Sequence, residues 1–423
     1  MNILTKITTL AVGILCALPA QAGTIDKDTA LQKALKNNPS VLIGLADVSK
    51  AIGRHIQAGL VPNPEAVFEI ENFAGDEDFS GFDATETTIG LEQKIEMGGK
   101  RQKRQAVTEQ SYQITYQNAL AQTVGLLAET DIYFIRVAVA QERLKLAEKR
   151  LSLADKTHAT VKERVSAAAA SDIQHTKVDI EQSAAKLAKT RAEVELAVAQ
   201  SQLAKLIADE NIDDVDTALN DIPDVPDRTK LLTAIENLPQ VRAFAIASAQ
   251  SQSELNLIKA EAIPDPTIGL GVRRFNETDS TALVAGISFP IPVFNRNQGA
   301  IYEANANVAS MEAQSKLQDL SLRQSAVSAW DKLSLAHDEV TAYQNDIIPS
   351  AQRAYDQASK GYSAGRFSFL DLLDSQRTLY QVQSAYLDSI LILHEAKSEI
   401  DVLMGAYERI IMDHLSSTQG NIK

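Results

Sequence analysis

Asp371 and Asp374 are the residues of this 423-residue chain whose type and spacing point most directly to chemistry. Three positions apart on a helix, two carboxylates share a face. There they attract cations, or they simply suit the first turn beside the helix dipole's positive end. Lys100, Arg101, Lys103 and Arg104 form a basic run. Such a run suits a solvated helix face or phospholipid headgroups. Asp76-x-Asp78-x-Ser80-Gly81 opens like a calcium loop, but Thr87 occupies the position that needs a closing glutamate. The six histidines, at 55, 158, 175, 337, 394 and 414, contain no His-x-x-x-His pair, and Met97, Met311, Met404 and Met412 do not cluster. No metal site and no cofactor are therefore predicted. No nucleophile–base set can be assembled, and no Gly-x-x-x-x-Gly-Lys-[Ser/Thr] loop is present, so neither an enzyme nor an ATPase is predicted.

The elements that position these residues come in duplicate. Leu31–Val41 returns as Leu231–Val241, Val61-Pro62-Asn-Pro64 as Ile263-Pro264-Asp-Pro266, and Val165-Ser166-Ala167 with Ser171 as Tyr362-Ser363-Ala364 with Ser368. One structural unit is used twice, over 23–225 and 226–412, with 413–423 as a tail. Residues 1–22 read as a secretory leader: Lys6, an apolar stretch to Leu18, then Ala20-Gln-Ala22. The single cysteine, Cys16, lies inside it, and bulky Leu15 before it argues against a lipoprotein signal. Hydrophobic residues reach 45% but aromatics only 5%, which suggests long helices packed through small side chains rather than a thick core. A net charge of −14 gives no reason to expect nucleic acid as a partner. No later segment has enough continuous apolar residues for a transmembrane helix.

In each unit a short helix ends near Asn37 or Asn237, and Pro39 or Pro239 opens a second helix. The Pro62/Pro64 and Pro264/Pro266 pairs stop that helix. The period then changes to two, predicting β-hairpins over about 65–95 and 266–290. Ile89 and Leu91, Ile268, Leu270 and Val272, and Leu283, Ala285 and Ile287 mark one apolar face. This pattern fits membrane-spanning strands, and equally a half-buried soluble sheet. Gly98-Gly99, and Pro290, Pro292, Asn295, Arg296, Asn297 and Gly299, close the hairpins. Coiled-coil hairpins follow over 100–208 and 297–412. Their heptads include Val137, Leu144 and Leu151, then Ile180, Leu187 and Val194, with alanine rows alongside. Turns are predicted at 166–171 and 360–365, each followed by a capping box, Ser171-x-x-Gln174 and Ser368-x-x-Asp371. Pro349 should kink or break its rod.

Four strands cannot close a membrane barrel, so strands that enter lipid must be pooled among chains. At this point the whole mature chain resembles the TolC-type outer-membrane factors. Glu96-Met-Gly-Gly-Lys-Arg101 and Pro290–Ile301 resemble the CzcC-like heavy-metal efflux branch. The resemblance implies a mostly α fold with a membrane β-barrel part: a homotrimer with a twelve-stranded barrel in outer-membrane lipid and a periplasmic α-helical tunnel. It implies a passive duct, with a periplasmic adaptor and an inner-membrane pump of the resistance-nodulation-division class as partners. It implies that Asp371 and Asp374 ring the tunnel entrance as a gate. It further implies that Ser166, Ala168, Ser171, Ser363, Gly365 and Ser368 form adaptor-docking tips. The expected cargo is a divalent heavy-metal cation. The alternatives are the same channel serving drugs or type I protein secretion, and a soluble periplasmic coiled-coil scaffold.

Overall fold

The computed structural model describes residues 24–209, 212, 214–216, 219 and 221–420, with side chains to 416. The leader and Cys16 lie outside them. The described residues form two compact units, one from 24–38, 126–225 and 333–398, the other from 39–125, 226–332 and 399–420. Each draws on both halves of the sequence.

The second unit holds the strands. α2 (Pro39–Ala58) and α6 (Pro239–Glu261) run into the Pro-x-Pro pairs, and β1 (Glu65–Glu71), β2 (Glu86–Lys94), β3 (Thr267–Phe275) and β4 (Ser280–Ser288) follow. The two hairpins are a single antiparallel sheet in the order β1-β2-β3-β4, joined by β2 against β3. Register places Phe68, Ile89, Val272 and Leu283 in one row and Ala66, Leu91, Leu270 and Ala285 in the next. That face is open: Leu91 is 60% exposed, Leu270 67% and Leu283 88%. The opposite face carries Glu65, Glu69, Glu71, Glu86, Glu92 and Arg273 among small residues. On it Arg273 donates to Thr88 Oγ1 at 2.9 Å and to Glu86 at 2.8 Å, and pairs with Glu71 at 2.8 Å. β1 and β4 each have one unpaired edge within the chain. The β1–β2 connection contains a 3-10 turn at Glu77–Phe79.

α3 (Lys100–Ser166) is an unbroken helix of 67 residues, and α4 (Asp172–Ile207) returns from it. On these helices in the first unit Ala140, Ala147, Ala154, Ala185 and Ala192 are buried. The Ile180, Leu187 and Val194 heptad, read from sequence as a packed seam, is instead 61%, 51% and 59% exposed within one chain. The buried face therefore carries small residues, and the larger seam faces away from it.

Six further helices follow among the described residues. α1 (Lys27–Asn37) is capped by Asp26, and α5 (Arg228–Ala234) by Asp227. α7 (Gln298–Ala342) passes through one π turn at Tyr343–Ile347 into α8 (Ile348–Ser363). The predicted break at Pro349 is therefore absorbed: the wider turn accommodates a residue that lacks an amide donor, and the helical path continues. α9 (Phe369–Leu403) ends at Gly405, whose φ is +69°, and α10 (Ala406–Gly420) continues as helix through most of the expected tail. Among the described residues no helix is long and apolar enough to cross a membrane.

Candidate gate, docking tips and hairpin joints

The two inter-helix turns of the first unit have the same backbone. After α3, Ala168 donates to the Val165 carbonyl at 2.9 Å and Ala169 to Arg164 at 2.7 Å. After α8, Gly365 donates to Tyr362 at 3.0 Å and Arg366 to Gly361 at 2.8 Å. Each is a Schellman closure with a left-handed residue, Ala168 at φ +54° and Gly365 at φ +71°. Ser166 and Ser363, at matching positions, both bond back to the carbonyl four residues earlier, at 3.0 and 2.9 Å. All six sequence-assigned tip residues, Ser166, Ala168, Ser171, Ser363, Gly365 and Ser368, are exposed. So are Ile173 (68%) and Leu370 (58%), which hold equivalent positions just past the turns and were not singled out from sequence.

The two expected capping boxes differ. Ser368 Oγ accepts from the Asp371 amide at 3.2 Å, and Asp371 accepts from the Ser368 amide at 2.8 Å and hydroxyl at 2.7 Å. These bonds, the hydroxyl first, hold the Asp371 carboxyl below its ordinary range. Ser171 occupies the matching N-cap of α4 but makes no side-chain bond, so the box predicted there is absent. Gln174 reaches it only through its own amide, which donates to the Ser171 carbonyl at 2.9 Å. Asp374 is exposed and, among the described residues, has no hydrogen-bond or ion-pair partner. Both aspartates lie opposite Phe369, Leu372 and Leu373, which pack with Val161, Val178 and Tyr362 into the core under the tips.

Above that core sits a charged joint that sequence reasoning missed. Glu181, with a side chain only 9% exposed, accepts from Arg150 at 2.7 Å and from Arg377 at 3.1 Å. Burial works to raise its carboxyl, but the two guanidinium groups, Arg150 foremost, hold it below the usual range. Arg150 also lies over the Tyr380 ring at 5.7 Å, and burial pushes the Tyr380 phenol up to about 12. No local pattern marks Glu181, because its partners lie 31 and 196 positions away.

The hairpin-boundary residues meet in the second unit. Between Pro264 and Pro266, Asp265 accepts from Lys100 Nζ at 2.6 Å and from the Met97 amide at 2.8 Å, with Lys94 at 3.5 Å. Lys100 also donates to the Ile263 carbonyl at 2.6 Å. Gly98, at φ +67°, sits where a Cβ would lie 2.8 Å from Ile263 Cδ1. Arg104 pairs with Glu96 at 2.7 Å and donates to the Ala58 carbonyl at 3.0 Å. Lys100 and Arg104 are thus neither a solvated face nor free for headgroups, unlike exposed Arg101. In the other joint, Asn297 (φ +60°) stands immediately before α7 as Gly99 (φ +69°) stands before α3. Asn297 accepts nothing from α6; it donates to the Ile258 carbonyl at 2.9 Å, and its amide donates to Asn295 Oδ1 at 2.9 Å. The Arg296 amide donates to Gln298 at 2.8 Å. Around Pro290 and Pro292, Ile291 (74%) and Phe294 (91%) are exposed, and Gly299 has open space about it. Pro62 anchors the first joint by accepting from Gln93 at 3.0 Å, while Pro64 ends at the start of β1.

Histidine is where the structure departs furthest from the sequence reading. His158, His175 and Asp179 offer one ligand atom each, all within 4.8 Å of one another. His175 and Asp179 stand four apart on α4, a spacing legible in sequence. His158 comes from α3 and needed the tertiary pairing. Asp76 and Asp78 join no such group among the described residues.

Comparison with known proteins gives a consistent picture. Residues 231–406 match the family model described as outer membrane efflux protein. The cobalt-zinc-cadmium resistance protein CzcC of Cupriavidus metallidurans is 28% identical over 386 residues, 91% of this chain and 91% of that protein. The nickel-cobalt-cadmium resistance protein NccC of Alcaligenes xylosoxydans is 26% identical over 70% of this chain and 68% of its own length. The crystal structure of CusC superposes with a TM-score of 0.77 at 17% identity, over 92% of this chain and 95% of that one. Residues 231–406 are thus similar to the outer membrane efflux proteins, the alignment with CzcC runs through nearly the whole of both chains, and the fold is that of the solved channel.

Proposed function

We propose that this protein is the outer-membrane exit channel of a tripartite efflux system, and that it conducts divalent heavy-metal cations from periplasm to exterior. The family model that residues 231–406 match is described as outer membrane efflux protein, which supports a duct rather than an enzyme. The observation that carries the reading is the sheet: four strands, an apolar face exposed throughout, a charged face opposite, and two unpaired edges. Unpaired edges are too costly in lipid to leave open. Three chains supply twelve strands, which close with a lumen lined by the Glu and Arg face. The exposed Ile180, Leu187 and Val194 seam supplies the matching contact between helices of neighbouring chains.

The metal assignment follows from the relatives named for resistance to cobalt, zinc, cadmium and nickel. In the homotrimer, Asp371 and Asp374 of three chains bring six carboxylates to the tunnel entrance, a ring that favours cations. The twin tips, with exposed Ile173 and Leu370, offer the adaptor an apolar contact on each repeat. A proton-driven pump of the resistance-nodulation-division class supplies the energy. The two repeats, 23–225 and 226–412, are the natural pieces of this assembly.

The test is the resistance profile of a deletion strain against Zn, Co, Cd, Ni, Cu and Ag, with drugs as controls. Sensitivity to divalent metals alone, restored by the gene, is the expected result. Sensitivity to drugs alone replaces metal by multidrug export. No change in either, with a protein that extracts without detergent, returns the soluble-scaffold reading.

A further inference from the structure

We infer that His158, His175 and Asp179 form a binding site for a borderline divalent cation, with Zn2+, Co2+ and Ni2+ as its class of ligand. His158 Nε2 lies 2.9 Å from one Asp179 carboxylate oxygen, and His175 Nδ1 lies 3.1 Å from the other. The carboxylate therefore bridges two imidazoles held by different helices, α3 and α4. The rings stand 5.4 Å apart and tilted by 55°, so neither stacks over the other's nitrogen. Four-coordinate zinc holds ligand atoms at about 2.0–2.1 Å, which sets neighbouring ligands about 3.4 Å apart. Donor atoms already within 4.8 Å reach that spacing by small side-chain rotations, with no backbone movement. Two nitrogens and one carboxylate oxygen suit the borderline metals and disfavour magnesium and calcium, which prefer all-oxygen sets. The side chains are 21%, 33% and 47% exposed, so a cation has a path in and water can fill the fourth position.

The location gives the site a consequence. His158 lies eight residues before the end of α3, and His175 three residues into α4. A bound cation ties the two helices together within about two turns of the 166–171 tip. Each imidazole would bind the cation through the lone pair that a proton can otherwise occupy, so acid and metal compete for the same atoms.

The site stands on its own geometry and does not rest on the exported cargo. The test is titration of Zn2+ alone into the purified full-length protein in detergent, against a chromophoric chelator. One Zn2+ per chain is expected, weakened at least tenfold in the H158Q/H175Q double variant and not displaced by excess Mg2+. The same number and affinity in the double variant overturns the site. Co2+ supplies a second readout: the visible bands of a low-coordinate Co2+ complex should appear in the native protein and vanish in H158Q and H175Q separately. Their absence from the native protein also overturns it. An unchanged thermal transition without metal shows that the variants fold. A chain that binds Zn2+ here yet confers no resistance keeps the site and loses the export reading; the converse loses only the site.

Discussion

At the residue scale the two aspartates differ in what holds them. The Asp371 carboxylate is tied to the Ser368 amide and hydroxyl, whereas Asp374 is exposed and has no partner among the described residues. In planar bilayers, D374A should therefore weaken cation selectivity more than D371A, and the double variant should raise conductance as well. Equal effects of the two single changes would place both carboxylates in the lumen on the same footing; unchanged selectivity in the double variant would remove the gate. Asp371 has the larger structural share. Removing its partner with S368A should cost the start of α9 about 1 kcal/mol, while S171A should cost α4 close to nothing. Hydrogen exchange of amides 369–372 against 172–175 reads the contrast. Because the folded Asp371 carboxyl titrates below its unfolded value, the cap is fully present above about pH 4 and is lost as pH falls through the lower folded value.

At the scale of elements, the tip is a four-helix joint of α3, α4, α8 and α9 around one small apolar core and one charged group. Glu181 is buried between Arg150 and Arg377, so neutralising it leaves two cations facing each other without an anion. With Arg377 half exposed, we expect E181Q to lower the local stability of this joint by about 1–2 kcal/mol, less than a fully buried pair would lose. Exchange protection of residues 178–185 and 372–380 measures it, and unchanged protection would show the joint to be held by packing alone. The same contribution carries a pH signature. The folded carboxyl is depressed, so its stabilisation is present above the unfolded glutamate range and disappears in acid, below about pH 4. The paired turns show how a repeat drifts while keeping its geometry: Gly365 meets a left-handed φ freely, whereas Ala168 meets nearly the same φ against steric resistance.

For the whole molecule, the sheet decides the environment. Leu283 and Ala282 are adjacent on β4 but face opposite ways. In lipid, L283R should destabilise the assembled channel by about 2–4 kcal/mol near the midplane and cut the yield of heat-modifiable trimer in outer membranes. A282R, on the face that carries Arg273 and the glutamates, should assemble normally. Equal loss from both substitutions would mean that the faces are not divided between lipid and lumen.

Much of this was legible in the residues themselves. Prolines 39, 239, 264 and 266 remove amide donors wherever they stand, so helix starts and stops near them needed no tertiary information. Period-two alternation located the strands, and the Ser368–Asp371 box was a local pattern that formed. Long-range pairing was not legible. Nothing local shows that β2 joins β3, that Asp265 takes the charge of Lys100, or that Glu181 lies between Arg150 and Arg377. Nor does spacing alone bring His158 to His175. Local sequence determined where the backbone turns, because turns and caps depend on the torsions and donors of a few neighbouring residues. Tertiary structure decided which charges meet and which apolar seams stay open, because those depend on the register between segments far apart in the chain.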